Sequence, residues 1–161
     1  MTGWKVRLRT IRPADHRTLA TFDRDTTEDH KPGGYRHWAT HRDASDDFHL
    51  AIETLRHRTL VGSIWVQTDP AVGAFSYGIG IAAQHRRCGY AIDAITALLT
   101  DMFERRGYRE CVVSVNGRNF PSLALHGELG FHEESRPRDA ELRHGEIRYP
   151  VIMSITAGQF S

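Results

Sequence analysis

Polar and apolar positions alternate along residues 4–11, WKVRLRTI, which predicts a strand. Pro13 follows, and the residues after it, PADHRTLATFDRD, carry the spacing of a short helix with proline in its first turn. KPGGY at 31–35 breaks the chain, and a second short helix is expected over 35–44. Three strands are then predicted at 47–54, 59–67 and 74–82, joined by LRHR and TDPAVG, which reads as an antiparallel meander. Residues 91–106 place Ile92, Ile95, Leu98, Leu99, Met102 and Phe103 on one helical stripe, and Gly107 stands where that helix would stop. An apolar strand is expected at 109–116. A short helix follows at 120–129, with Pro121 near its start and Gly130 just past its end. Two strands, 131–136 and 146–155, close the pattern around RHGE as a candidate turn. This order predicts a mixed α/β sheet covered by helices, with one crossover of the strand–helix–strand type between 74–82 and 109–116.

Composition narrows the class. A chain of 161 residues suits one compact domain over 1–161, and 40% hydrophobic with 25% charged residues is ordinary globular content. The formal net charge of +1, with no basic stripe interleaved with aromatics, argues against a nucleic-acid or anionic-membrane partner. Lys5 and Lys31 are the sole lysines among 21 basic residues. Cys88 and Cys111 make neither a CxxC pair nor a zinc spacing, so a reduced, cytoplasmic setting is expected, with no metal. No apolar leader or bilayer-length window is present in this sequence.

The chemistry concentrates where a strand turns into a helix, at QHRRCGYA, residues 84–91. A helix start exposes unpaired N–H groups and the positive end of the helix dipole. Gly89 and Ala91 let an anion approach, and Arg86 and Arg87 add charge suited to phosphate oxygens. The same residues would also serve a plain solvated turn. Neither GxxxxGK nor GxGxxG is present, so a nucleoside triphosphate or dinucleotide site is not indicated.

RRCGYA, residues 86–91, resembles the (Arg/Gln)-x-x-Gly-x-(Gly/Ala) motif of the GNAT acyl-coenzyme A-dependent N-acetyltransferases. The resemblance extends through YGIGIAAQHRRCGYAIDAITALLTDMF, through NGRNFPSLALHGELGFHEE, and to the opening VRLRTIRPADHRTL, so it covers nearly the whole chain. Within the family the chain looks most like the branch related to ribosomal-protein alanine acetyltransferases. The resemblance implies an α/β (α+β) fold with a mixed, mostly antiparallel sheet of about seven strands and about four helices. It also implies acetyl-coenzyme A as the acyl-donor substrate.

Carried across residue by residue, the resemblance puts the pyrophosphate on the loop of Arg86, Arg87, Cys88, Gly89, Tyr90 and Ala91, gripped mainly by backbone amides. The pantetheine arm would run beside Ile81 and Ala82. Gly78 and Gly80 either let that strand splay or bulge, or relieve crowding. Asn116 and Asn119 resemble cofactor-side residues, as does Ser122, which could equally serve a helix-start hydrogen bond. His126 stands where many members place a tyrosine that protonates the departing thiolate. Imidazole could do the same, or could be structural or substrate-lining. Glu53, Ser76 or water are the candidates for a general base. Neither cysteine is required as a nucleophile, because direct attack in a ternary complex is the route the resemblance implies.

The acceptor implied is a primary amine, of a small molecule or of a peptide N-terminus. The acidic run of Asp23, Asp25, Glu28 and Asp29 would suit a cationic amine, or is a solvated turn. His37 and His41 stand at helical spacing with no third metal ligand. An acyl-coenzyme A-binding module without transfer and a transferase for longer acyl donors stay open beside the acetyltransferase. Long closing strands could pair two copies into a homodimer. Gly89→Glu is expected to abolish acetyl-coenzyme A binding with the fold largely intact, measured by calorimetry.

Overall fold

The structure, a computed structural model, describes residues 1–26, 47–134, 141–143, 146–148 and 150–160, with side chains for 1–22, 47–134 and 150–160. Seven strands form one sheet in the order β1-β2-β3-β4-β5-β9-β6. They are β1 (Val6–Thr10), β2 (Phe48–Thr54), β3 (Leu60–Asp69), β4 (Ala74–Ile81), β5 (Glu110–Asn116), β6 (His132–Glu133) and β9 (Pro150–Thr156). β7 (Glu141–Arg143) and β8 (Glu146–Arg148) pair separately, with Arg143 opposite Glu146. Three α-helices lie among the described residues: α1 (Asp15–Thr26), α2 (Tyr90–Thr100) and α3 (Phe120–Glu128). The helix expected over 35–44 lies outside the described residues.

Alternation decides the faces of the sheet. Val6, Leu8, Leu50, Ile52, Ile64, Val66, Phe75 and Tyr77 turn to one side and are buried there. The stripe of α2, Ile95, Leu98 and Leu99, joins the same core with Met102 and Phe103 beyond it. The other face carries Arg7, Arg9, His49, Glu53, Trp65 and Ser76. The β2-β3-β4 meander is antiparallel throughout, with a register shift between Ile52 and Glu53.

Two elements depart from the sequence pattern. The helix expected to run to 106 is α-helical only to Thr100, and residues Asp101–Arg105 form one wider π turn. In that turn the buried Asp101 carboxylate takes Arg105 at 2.9 Å and Arg106 at 3.0 Å. The closing strand is divided, because Pro150 opens β9, and proline without an N–H belongs at the first position of a strand.

One pairing positions the site. β4 and β5 are parallel and register only at Ala74 with Glu110 and Phe75 with Cys111. From Tyr77 onward β4 is paired to β3 alone, so the two central strands part as they approach α2.

A buried carboxylate then ties α2 to the sheet. Asp93, in the first turn of α2, accepts backbone hydrogen bonds from Trp4 (2.8 Å), Lys5 (2.8 Å) and Val6 (2.9 Å). Gly3 passes so close that a Cβ there would stand 2.3 Å from the Asp93 carboxylate. Removing this carboxylate strands donors for which no other acceptor stands among the described residues. Asp93→Ala is therefore expected to lower unfolding free energy by about 3 kcal/mol in urea titration, far more than a surface substitution would.

Candidate active site

The joint between β4 and α2 is a concave run of backbone donors. A short 3₁₀ turn, Ala83–His85, leads into it, and Gly89 caps α2 in the left-handed region at φ 77°. Arg87 is also left-handed, at φ 63°. Arg86 before it is extended, at φ −72° and ψ 161°, so the chain reverses hand at Arg87 and again at Gly89 on its way into the helix. The N–H groups of Arg87, Cys88, Gly89, Tyr90, Ala91 and Ile92 donate to no acceptor among the described residues. Arg86 lies back along the loop, its Nε donating to the Ile81 carbonyl at 3.3 Å. Lys5, from the N-terminal segment, places its Nζ 2.9 Å from the Cys88 carbonyl oxygen.

The glycine at this joint changes one expectation. A side chain at φ 77° is strained, and a Cβ on Gly89 would stand 3.0 Å from Lys5 Nζ. Gly89→Glu would thus disturb the loop as well as its charge, and is not the clean test it appeared from sequence. Gly78 and Gly80 relieve no crowding, since a Cβ at either meets nothing within 4 Å among the described residues. The tight approach is at Gly62, whose Cβ would stand 2.1 Å from the Gly80 carbonyl. β4 carries no bulge against β3, and the splay from β5 is the irregularity.

Across the opening between the strands, Tyr77 on β4 meets His126 on α3, hydroxyl to Nε2 at 2.8 Å. The other ring nitrogen, Nδ1, lies 2.7 Å from the Ser122 carbonyl. A carbonyl can only accept, so Nδ1 carries the proton and Nε2 accepts from the Tyr77 hydroxyl. The ring is buried beside Tyr77 and edge-on to Phe131, 5.1 Å between centroids. Burial holds His126 below the usual imidazole pKa, against the opposing pull of the Ser122 carbonyl. It also pushes the Tyr77 hydroxyl well up. His126 is accordingly a neutral imidazole whose Nδ1 proton is held by the Ser122 carbonyl and whose Nε2 accepts from Tyr77.

The other expected residues separate into groups. Ile81 ends β4 and Ala82 follows it, buried, its N–H on the Val61 carbonyl at 2.8 Å. Asn116 and Asn119 serve the turn before α3: Asn116 Oδ1 accepts from Arg118 N (3.0 Å), and Asn119 Oδ1 from Ser122 N (3.2 Å). Ser122 also puts its hydroxyl 3.4 Å from His126 Nδ1. Glu53 is buried between Arg9 and Arg7, and Arg9 continues to Asp15 at 2.7 Å. Burial alone would raise the Glu53 pKa, but the hydrogen bonds and charges of the two arginines win and lower it. Asp15 falls to about 2 on its hydrogen bond from Arg9. A carboxylate stabilised in this way is a poor base at neutral pH, which corrects the expectation for Glu53.

Ser76 shares the Glu53 face but sits two strands away and opposite Gln67, whereas Glu53 sits opposite Leu60. Seven residues of strand separate those positions, roughly 20 Å, so the two cannot act on one atom. Cys88 is exposed in the loop, and Cys111 is buried with its thiol pKa pushed well up by burial. The side chains of Asp23, Asp25, Glu28, Asp29, His37 and His41 lie outside the described residues. Sequence reasoning passed over Lys5, Tyr77 and Asp93. Only Asp93 carried a signal, an acid inside the apolar start of a helix.

Residues 5–132 match the family described as Acetyltransferase (GNAT) domain. The chain is 27% identical over 168 residues to the SPbeta prophage-derived uncharacterized N-acetyltransferase YokL of Bacillus subtilis, covering 99% of this chain and 94% of that one. Its fold matches a spermidine N-acetyltransferase SpeG chimera from Vibrio cholerae and hSSAT, with TM-score 0.80 and 18% identity over 96% of this chain and 97% of that one. The Vibrio cholerae spermidine N-acetyltransferase crystallised with CoA and spermine matches at TM-score 0.77 and 18% identity, over 96% of each chain.

The neutral state of His126 has a pH signature. The folded protein holds that proton more weakly than the unfolded chain, so the ring's contribution to stability is complete above about pH 6.5 and falls as pH drops below it. The difference in unfolding free energy between the wild type and His126→Gln is therefore expected to shrink from pH 8 to pH 5. A difference independent of pH would show that His126 keeps an ordinary pKa in the folded protein.

Proposed function

The chain belongs to the GNAT acetyltransferase family, and on that premise we propose that it transfers the acetyl group of acetyl-coenzyme A to a primary amine of a small molecule or peptide N-terminus. The observation that carries this reading is the run of unpaired N–H groups from Arg87 to Ile92 at the mouth of the strand opening. Arg86 opens that loop, and the amides of Arg87, Cys88, Gly89, Tyr90 and Ala91 bind the pyrophosphate at the positive end of α2. The open edge of β4 from Tyr77 to the Ile81 N–H pairs the pantetheine arm as a further strand would, and it ends at Ala82, whose N–H is already bound to Val61. Asn116, Asn119 and Ser122 act through the turn they order on the opposite lip.

The amine nitrogen attacks the thioester carbonyl, the carbon–nitrogen bond forms, and the carbon–sulfur bond breaks with its electron pair leaving on sulfur. A backbone N–H of β4 stabilises the oxyanion. The ammonium proton leaves to water along the face of Ser76, Gly78 and Gly80, which needs no carboxylate base. Tyr77 and His126 close the inner end of the opening and hold α3 against β4. An amine acceptor agrees with the fold neighbour crystallised with CoA and spermine.

Acetyl-coenzyme A with a broad amine panel is expected to give continuous thiol release with at least one amine. Tight cofactor binding without turnover on any amine would instead favour a binding module, and faster turnover with succinyl or longer thioesters a different donor. Direct attack also predicts that Cys88→Ser keeps kcat within about twofold and that initial rates show intersecting, not parallel, double-reciprocal lines.

A further inference from the structure

We infer that Lys5 is a positioning residue of the donor site: its ammonium group holds the Cys88–Gly89 peptide so that the Gly89 N–H faces the pyrophosphate. This rests on the reading of the β4–α2 joint as the coenzyme A cradle. A trans peptide is planar, and its C=O and N–H point in opposite directions. The Cys88 carbonyl is turned toward Lys5 Nζ, 2.9 Å away. The N–H of the same peptide, on Gly89, is therefore turned the other way, within the run of unpaired donors. Lys5 stands behind the loop, and its charge acts on the anion through one peptide unit.

The lysine can do this because its own backbone is fixed on both sides. Its N–H donates to the buried Asp93 at 2.8 Å, and its carbonyl accepts from Leu55 at 2.9 Å. Asp93 belongs to the first turn of the helix that Gly89 caps, so one carboxylate sets both the helix and the lysine that reaches its cap. Two effects follow. The peptide loses the freedom to flip, which matters because Gly89 in the left-handed region has an unusually soft backbone. The hydrogen bond to a cation also polarises the amide and strengthens its N–H as a donor. Lys5 is one of two lysines in a chain otherwise served by arginine. A compact ammonium on a flexible stem reaches a single carbonyl oxygen, where a planar guanidinium would seek two acceptors.

The test compares two thioesters, one with the pyrophosphate and one without. Lys5→Met keeps the stem and removes the charge. It is expected to raise KM for acetyl-coenzyme A about tenfold with kcat little changed, and to leave kcat/KM for S-acetyl-pantetheine within about twofold of wild type. The salt dependence of coenzyme A binding should become shallower, and Lys5→Arg should recover part of the loss. An equal fall in kcat/KM for both thioesters would make Lys5 merely structural and overturn the proposal, as would no fall with either. Absence of coenzyme A binding by the wild type would instead remove the donor-site reading itself. Thermal unfolding of both variants without ligand separates a folding defect from a binding one.

Discussion

The early end of the β4–β5 pairing is the constraint on which the functional architecture rests. Two parallel strands at the centre of a sheet normally continue to exchange hydrogen bonds, because an unpaired central backbone is costly. Here they stop at Phe75 and Cys111. The far half of β4 is left with one partner strand and an open edge, and the chain then turns through the Arg87–Gly89 loop into α2. An open strand edge beside a helix start supplies two kinds of backbone donor at once, a ladder that could pair an amide-bearing arm and a run of unpaired N–H groups at the positive end of a helix. A pyrophosphate joined to an amide-bearing arm matches both.

Such an opening must be held from both sides, and buried polar groups do it. Tyr77 and His126 close its inner end by a hydrogen bond from β4 to α3. Asp93 fixes α2 to the segment before β1 with three backbone N–H groups, and Lys5 extends that hold to the loop. Asp101 and the Arg7–Glu53–Arg9–Asp15 network are further buried or half-buried charges, each with its partners. Leaving any one of them without its partner costs more than the pair contributes, so these groups define a single arrangement more than they add stability.

The strands, the crossover helix and the loop between β4 and α2 were legible in the sequence because each has a local cause. Period-two alternation marks a half-buried strand, a stripe marks α2, and a glycine, Gly89, stands at its start. The motif at 86–91 was legible for the same reason, since anion binding by backbone amides needs only a turn, a helix start and small side chains. The side-chain chemistry was not. His126 read either as a proton donor or as a structural or substrate-lining residue, because nothing in ALHGELGF reveals a tyrosine 49 residues away. Glu53 read as an available base because the arginines that hold it lie on another strand.

By itself the sequence determined the order of the strands in the meander, the crossover helix and the strand-to-helix joint before it, all consequences of spacing along one segment. The tertiary structure alone decided where β4 and β5 part, which titratable groups are neutral or locked, and which N-terminal residue stands behind the loop. Those outcomes depend on pairs brought together across 36 to 89 positions of chain. No local pattern encodes the burial and the partner that fix a proton or a peptide plane.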